Sequence, residues 1–106
     1  MDSGPASTVK AFYKEVETGK LTEATDRLTG PMVQMLGKDK LKAAFGAQTE
    51  KIKQKGGIKS VETKSEEING EMATVEVLIT YGNGSTETDK NKLIKGEKGW
   101  LIVADK

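Results

Sequence analysis

Apolar residues recur at helical spacing near the start of the chain. In the stretch PASTVKAFYKEVETGK, positions i, i+3, i+4 and i+7 form one apolar stripe, made of Val9, Phe12, Tyr13 and Val16. That spacing is the period of a helix with about 3.6 residues per turn. Pro5 suits a first helical turn and Gly19 suits a helix end. The pattern therefore predicts a first helix between these two residues.

Two more helical stretches follow. KLTEATDRLTG spaces Leu21, Ala24 and Leu28 for a short second helix, which Gly30-Pro31 ends. PMVQMLG adds a single apolar turn. In KDKLKAAFGAQTEKIKQKGG, one face of a third helix is formed by Leu41, Ala44, Phe45, Gln48 and Ile52. Lysines occupy the opposite face, so this helix is predicted to lie on the surface with one side against the core.

The second half of the chain has the pattern of strands. EMATVEVLITY alternates between apolar and other residues, which places one set on a single sheet face: Ala73, Val75, Val77, Ile79 and Tyr81. Turns are predicted at residues 69–70, 82–84 and 96–99, where glycines cluster with asparagine or charged residues. Helices followed by four strands with short connections predict an α+β fold, with the helices packed on a four-stranded antiparallel sheet.

Two of the strands depart from simple alternation. In IKSVETKSEEI, the apolar residues Ile58, Val61 and Ile68 do not share parity, which predicts a bulge or an edge position. The last strand is apolar on both sides at positions 100–103, so both faces of the sheet are predicted to be covered.

The predicted core consists of Val9, Phe12, Tyr13, Val16, Leu28, Leu41, Phe45, Val75, Val77, Ile79, Trp100 and Ile102.

Composition narrows the function classes. The 106 residues carry a formal net charge of +1, and of 17 basic residues only Arg27 is an arginine, which argues against nucleic acid as a partner. The absence of cysteine and histidine removes thiolate chemistry, the commonest general base and the commonest metal ligands. We therefore predict one domain over residues 1–106, with residues 1–4 flexible, and no metal site, catalytic residue or cofactor.

Three residues are candidates for chemistry. Glu76 lies mid-strand among apolar neighbours, and such a carboxylate can have a raised pKa and act as an acid or base. The alternative, which we favour, is a solvated residue on the polar side of its strand. The hydroxyls of Tyr13 and Tyr81 could meet in a cleft, but both tyrosines lie on core stripes, so a structural role is favoured for each.

Two stretches resemble a known superfamily. STVKAFYKEVETGKLTEATDRLTGPM has the form of a helix, a turn with glycine and a charged residue, and a short helix. It resembles the opening of the nuclear transport factor 2-like (cystatin-like) superfamily. ITYGNGSTETDKNKLIKGEKGWLI is similar to the closing part of small bacterial domains of unknown function in that superfamily, many of them exported lipoproteins. Together the two stretches cover about half of the chain.

This resemblance implies a curved antiparallel sheet that wraps a long helix and encloses a conical cavity. Enzymes of the superfamily place Asp, His or Tyr there, but no catalytic role is transferred to this chain. The candidates for the ligand pocket are Phe12, Tyr13, Phe45, Val77, Ile79, Tyr81 and Trp100. Trp100 is expected to pack on the concave sheet face against the first helix, near Phe12 and Tyr13; the alternative is that it stacks on a ligand.

The resemblance also shapes the functional hypotheses. The leading one is a non-enzymatic domain of an exported bacterial protein, located in the cell envelope or outside the cell, that binds a small apolar ligand or a protein. A cytoplasmic location stays open, and membrane attachment would require a lipid anchor that this sequence does not contain. The alternatives are a small isomerase or cyclase that uses Glu76 or Tyr81, and a dimerisation module. A weak homodimer is expected through Leu78, Leu101 and Val103 on the convex face, with Met72 near the rim.

Overall fold

Three helices and five strands make up the computed structural model, which describes residues 4–104. The helices are α1 (Pro5–Thr18), α2 (Leu21–Asp26) and α3 (Pro31–Gln54). The strands are β1 (Leu28–Thr29), β2 (Ile58–Asn69), β3 (Met72–Tyr81), β4 (Thr86–Gly96) and β5 (Gly99–Val103). The predicted α+β class is confirmed. The predicted flexibility of residues 1–4 falls on positions that, apart from Gly4, lie outside the described range.

Helix α1 begins and ends as its sequence predicts. Pro5 occupies the first turn, and Gly19 adopts the left-handed conformation, with φ of 78°, just past the end. The Glu66 carboxylate of β2 accepts a hydrogen bond from the Ala6 N–H at 2.9 Å. This bond satisfies one of the free N–H groups of the first turn and ties the start of α1 to the sheet.

The prediction of four strands is wrong by one, because the end of the predicted second helix is a strand. Helix α2 stops at Asp26, and Leu28–Thr29 forms β1, which pairs in parallel with β5. The Ile102 N–H donates to the Arg27 carbonyl at 2.8 Å, and the Ala104 N–H donates to the Thr29 carbonyl at 2.7 Å. A two-residue strand is too short to show alternation, and its partner lies more than 70 residues away in the sequence.

Helix α3 contains the predicted apolar turn and the predicted third helix, separated by a break. Gly37 has φ of 78° and ψ of 167°, a conformation outside the helical region that glycine adopts without steric cost. Within residues 4–104, no helix has the length and apolar character needed to cross a lipid bilayer.

The sheet has the order β1-β5-β4-β3-β2, and all its pairs except β1–β5 are antiparallel. The irregular apolar pattern of β2 has both of the predicted causes, an edge position and a bulge. β2 lies at the edge, and its register with β3 shifts between Ile58 and Ser60 and again between Thr63 and Ser65. The two shifts bring Ile58, Val61 and Ile68 to the same face, where they pair with Tyr81, Ile79 and Ala73.

The core lies between the helices and the concave face of the sheet. The predicted core residues that are buried are Val9, Val16, Leu41, Val75, Val77, Ile79 and Ile102. The others are only partly buried, and these are Phe12, Tyr13, Leu28, Phe45 and Trp100. All of these except Leu28 border cavities, which leaves their rings less enclosed than predicted. The core also contains residues that were not among those predicted, and these are Ala24, Ile52, Ala73, Tyr81 and Leu93.

The end of α3 is held directly against the turn between β3 and β4. The Gly82 N–H donates to the Gly57 carbonyl, and the Asn83 N–H donates to the Lys55 carbonyl, both at 2.8 Å. A Cβ atom at position 82 would lie 2.2 Å from the Gly56 carbonyl oxygen, so only glycine permits this approach. The contact fixes the position of Lys55 relative to Tyr81.

Candidate functional site

A cavity of about 190 Å³ lies between α1, α3 and the concave face near the turn between β3 and β4. We call it the cone cavity. Helix α1 contributes Phe12, Tyr13 and Val16 to its walls. The remaining lining residues are Phe45, Gln48, Lys51, Ile52 and Lys55 from α3, Tyr81 from β3, and Glu87 and Asp89 from β4. Four elements from both halves of the chain therefore meet around one small space.

Aromatic rings form the apolar part of the cone cavity. Phe12 contacts Tyr13 edge to face, with ring centroids 5.7 Å apart, and it contacts Phe45 in the same manner at 5.4 Å. These interlocked rings favour their observed orientations, because edge-to-face pairs are attractive beyond their buried area. The cavity therefore has a rigid apolar wall on its helical side.

The sheet wall of the cone cavity is polar. The Tyr13 hydroxyl donates a short hydrogen bond to the Asp89 Oδ2 atom. The Tyr81 hydroxyl donates to the Glu87 Oε1 atom at 3.1 Å. Glu87 and Asp89 lie two residues apart on β4, opposite Ile79 and Val77 of β3, so both carboxylates belong to the concave face.

Both tyrosines stay protonated over the physiological range. Burial, together with the hydrogen bond to Asp89, raises the pKa of the Tyr13 hydroxyl far above its usual value of 10.0. Burial, together with the hydrogen bond to Glu87, raises the pKa of Tyr81 to about 12. Each phenol therefore acts as a hydrogen-bond donor to its carboxylate and is a poor base or nucleophile near neutral pH.

The α3 wall supplies cations. Gln48, Lys51 and Lys55 line the cavity at helical spacing, and Gln48 and Lys51 are exposed at its mouth. The Lys55 Nζ atom lies 4.5 Å from the centroid of the Tyr81 ring, which is a cation–π contact. The ammonium group thus covers the outer side of the Tyr81 ring.

One buried amide stands unsatisfied beside this site. Asn91 follows Asp89 on the same face of β4, and its Nδ2 atom is buried without a hydrogen-bond partner in the described part of the chain. The Asn91 side chain acts as a nearby donor that lowers the pKa of Tyr13 and so lies close to the phenol oxygen, but the two groups do not meet the geometry of a hydrogen bond. A buried amide donor without a partner costs free energy, so this position is a local weakness of the fold.

The predicted pocket residues divide into three groups. Phe12, Tyr13, Phe45 and Tyr81 line the cone cavity together. Val77 and Ile79 point to the same side of the sheet, but they are fully buried in the core and do not line the cavity. Trp100 does not line the cone cavity with Phe12 and Tyr13, although it lies beside α1 as predicted, since the spaces that it borders are also lined by Ala11 and Glu15.

Trp100 is on the concave side, but at the other end of the sheet. It pairs with Lys95, which is six residues from Asp89 along β4, or roughly 20 Å at about 3.3 Å per residue. There it borders two open spaces of about 540 and 280 Å³ on either side of Arg27. Arg27 donates to both carboxylate oxygens of Glu15, at 2.7 and 2.8 Å. The ion pair and the indole ring therefore lie together at this end of the sheet.

Glu76 does not reach the cone cavity. The residues next to it, Val75 and Val77, are buried on the concave face, so Glu76 points to the convex face. It is cross-strand neighbour to Lys90 there. The solvated alternative given above therefore describes this residue, and a catalytic role for it within the cavity is excluded by its direction.

The cavity carboxylates were missed at the level of sequence. The stretch STETDKNKLI has the pattern of a polar strand that ends in apolar residues, and the parity of its polar residues carries the missing signal. Glu87, Asp89 and Asn91 share parity with buried Leu93, and this signal would have placed all three on the concave face. Between residues 4 and 104, no three potential metal ligands come together.

The predicted convex patch is not continuous. Met72, Ile94 and Leu101 lie side by side across β3, β4 and β5, and Met72 and Ile94 are exposed. Leu78 is six residues from Met72 along β3, roughly 20 Å away, with Thr74 and Glu76 between them on the same face. The apolar row therefore includes Ile94, which was not predicted, and excludes Leu78.

Comparison with known proteins gives a family and a fold. A family model described as "Domain of unknown function (DUF4878)" matches residues 1–103. A crystal structure from Campylobacter jejuni, named as a candidate NTF2-like transpeptidase, superposes with a TM-score of 0.82 at 21% identity and covers 96% of this chain and 99% of that one. A SEC-C motif containing protein from Rhodopseudomonas palustris superposes with a TM-score of 0.67 at 11% identity, covering 96% and 77%. Among curated proteins, none matches. The predicted nuclear transport factor 2-like fold is thereby confirmed.

Proposed function

The chain belongs to the family described as Domain of unknown function (DUF4878), and on that premise we propose that it is a non-enzymatic domain that binds a small ligand in its cone cavity. The observation that carries this proposal is the convergence of Phe12, Tyr13, Phe45 and Tyr81 around one space. An apolar cavity with a few convergent polar groups is the usual form of a small-molecule site.

The size of the cavity limits the ligand. Its volume of about 190 Å³ is below the roughly 300–1,000 Å³ of sites that hold drug-sized molecules. The ligand is therefore a molecule with few heavy atoms, or one end of a larger molecule or of a protein segment. Phe12, Phe45 and Ile52 provide its apolar contacts.

An isomerase or cyclase is the second candidate, because a tyrosine–carboxylate pair lies in the cavity. The protonation states argue against it. Tyr13 and Tyr81 hold their protons well above neutral pH, and each uses its proton in a hydrogen bond to a carboxylate. Neither phenol is available as a general base, so among the described lining residues a proton from a substrate would have to be accepted by Asp89 or Glu87.

The name of the Campylobacter jejuni protein raises acyl transfer as another activity. Ser7 and Lys10 have the Ser-x-x-Lys spacing of acyl-transfer enzymes. Ser7 borders the space beside Trp100, but Lys10 is exposed and does not line it, and no hydrogen bond joins the two among residues 4–104. This pair lacks the activated nucleophile that such chemistry requires.

A location in the cell envelope is part of the proposal. It rests on the similarity of the closing stretch, residues 79–102, to exported lipoprotein domains. A lipid anchor would need a cysteine, which this sequence does not contain. The codons upstream of this segment in the native gene test the idea, since an export signal with a cysteine at its end supports an anchored protein.

Ligand binding is tested by NMR with a panel of small aliphatic and aromatic alcohols, acids and amines. Binding compounds are expected to shift the amide signals of Tyr81, Glu87 and Asp89. Gln48→Trp places a ring at the mouth of the cavity and should abolish the shifts. Glu50→Trp is the matched control, because Glu50 is exposed on α3 and does not line the cavity. Shifts confined to other surfaces, or unaffected by Gln48→Trp, contradict the proposal.

A further inference from the structure

Among the described residues that line the sheet wall of the cone cavity, the free hydrogen-bonding groups are acceptors, and the unsatisfied Asn91 amide lies beside this wall without lining it. Asp89 and Glu87 are carboxylates, which accept hydrogen bonds through both oxygens when ionised. The hydroxyl groups of Tyr13 and Tyr81 already donate their hydrogen bonds to these carboxylates. What remains for a ligand on this wall is therefore carboxylate and phenol lone pairs.

Such a wall discriminates between ligand head groups. A carboxylate or carbonyl group placed against it would face other acceptors without a proton between them, which is unfavourable in a partly desolvated site. A group with several N–H donors finds acceptors in more than one direction, and a positive charge strengthens each of these bonds. The donor–acceptor pattern therefore favours a cationic, donor-rich group.

The chain itself shows that an ammonium group is accommodated here. The Lys55 Nζ atom lies over the Tyr81 ring at 4.5 Å, at the outer end of the same wall. The ring of Tyr13, beside Asp89, lines the inner part, where no lysine contact of this kind occurs among the described residues. The inner part thus repeats, with Tyr13 and Asp89, the tyrosine–carboxylate hydrogen bond that Tyr81 makes beneath Lys55.

The opposing charges limit the ligand to one cationic group. Lys51 and Lys55 balance Glu87 and Asp89 in number around the cavity. Lys51 is exposed to solvent, which screens its repulsion, while Asp89 is partly buried and interacts more strongly. A single ammonium group close to Asp89 is favoured, and a second positive charge near the α3 lysines is not.

We propose that the cone cavity selects a small ligand that carries one primary ammonium group on a short apolar body, an inference that rests on the ligand-binding function proposed above. The ammonium group lies between Asp89 and the Tyr13 oxygen, and the apolar body contacts Phe12 and Phe45. Glu87 and Lys55 form the outer rim, where the rest of a larger amine would leave the cavity.

The test compares three probes that share one branched aliphatic body and differ in head group: isopentylamine, isopentanol and isocaproate. Affinities are measured from amide shifts of the cavity residues in the purified domain. Isopentylamine is expected to bind about tenfold or more tightly than either other probe, which is the size of effect of one charge-assisted hydrogen bond. Equal affinities, or tighter binding of isocaproate, overturn the inference.

Two variants that each remove one negative charge locate the effect. Asp89→Asn keeps an acceptor for Tyr13 but should reduce the preference for the amine to within about threefold. Glu76→Gln, on the convex face, should leave the preference unchanged. If Asp89→Asn does not fold, as judged by its urea unfolding curve, Glu87→Gln removes the other cavity carboxylate and should lower the preference for the amine by a smaller factor, because Glu87 lies at the exposed rim. A preference that survives removal of the cavity carboxylates contradicts the inference.

The outcomes separate this inference from the function on which it rests. Binding of isopentanol at the cavity without a preference for the amine supports a small-ligand site and overturns its selectivity for ammonium. Absence of cavity shifts with all three probes, up to the limit of their solubility, overturns both.

Discussion

The Tyr13 hydroxyl donates to the Asp89 Oδ2 atom and so joins helix α1 to strand β4 across 76 residues of sequence. Tyr13 belongs to the apolar stripe of α1, and Asp89 lies in the middle of the sheet, opposite Val77. The bond therefore connects the helical layer to the sheet at the wall of the cone cavity. Because the phenol proton is used in this bond, the Tyr13 hydroxyl can only accept a hydrogen bond from a ligand.

Removal of this hydroxyl should destabilise the fold. We expect Tyr13→Phe to lower the free energy of unfolding by about 1.5–3 kcal/mol, because a partly buried carboxylate loses its donor. Tyr81→Phe is the control, since its partner Glu87 is exposed and water can replace the lost donor. It should cost less than about 1 kcal/mol. Urea unfolding measures the loss of stability in both variants. Equal losses would contradict the inference that Asp89 is less accessible to water than Glu87.

Replacement of Asn91 by leucine should raise the free energy of unfolding. Leucine has a similar size and no polar atom, so Asn91→Leu removes the unsatisfied Nδ2 donor and should stabilise the domain by up to about 1 kcal/mol. Asn91→Asp should instead destabilise it, because a second carboxylate would lie near Asp89. The midpoints of thermal unfolding give both signs. A loss of stability in Asn91→Leu would mean that the amide has a partner.

Two glycine substitutions should behave differently. Gly82→Ala introduces a Cβ atom 2.2 Å from the Gly56 carbonyl oxygen, and separating the backbones should cost at least about 2 kcal/mol. At Gly46, inside α3, the new Cβ would meet only the Leu21 Cδ1 atom at 3.7 Å. Gly46→Ala should therefore stabilise the domain by about 0.5–1 kcal/mol through helix propensity. Chemical denaturation of both variants checks the pair, and a tolerated Gly82→Ala would show that α3 is not fixed at this turn.

The tyrosines also predict a dependence on alkaline pH. Because folding raises the pKa of Tyr81 from 10.0 to about 12, the folded state holds this proton more tightly than the unfolded state. The stability from this group is fully present below pH 10 and falls as the pH rises from 10 towards 12. Tyr13 acts in the same direction, since its pKa is also raised. The fall should be smaller in Tyr81→Phe than in the unmodified protein when unfolding is measured at pH 8 and pH 11, and an identical fall in both would contradict the shift.

Self-association tests the apolar row on the convex face. Met72, Ile94 and Leu101 form a small surface, well short of the roughly 800 Å² per partner of a stable interface. We expect monomer–dimer exchange in the micromolar range or weaker, and Ile94→Glu should abolish it. Leu78→Glu should leave it unchanged, because Leu78 lies outside the row. Sedimentation over a concentration series decides, and a dimer that persists at nanomolar concentration would contradict the expectation.

The sequence by itself determined the elements that depend on neighbouring residues. The stripe of α1 and the alternation of β3 are local periodicities, and they follow from the geometry of helices and strands. The uneven parity of Ile58, Val61 and Ile68 also predicted the irregular edge strand, because a bulge shifts every later residue to the other face. Together with the resemblance of the two ends of the chain, these patterns were sufficient for the fold class.

Only the tertiary structure decided which residues share a cavity. Strand β1 exists because β5 pairs with it from more than 70 residues away, and no local period records that pairing. Trp100 and Tyr13 both face the concave side, yet the register of β4 with β5 separates them along the sheet. Asp89 lies in a polar stretch of the sequence, which by itself predicts only a solvated strand. It becomes a cavity residue because α1 packs against β4 in the folded chain. Such contacts are set by the packing of whole elements against one core, which is a property of the folded chain and not of any single stretch of it.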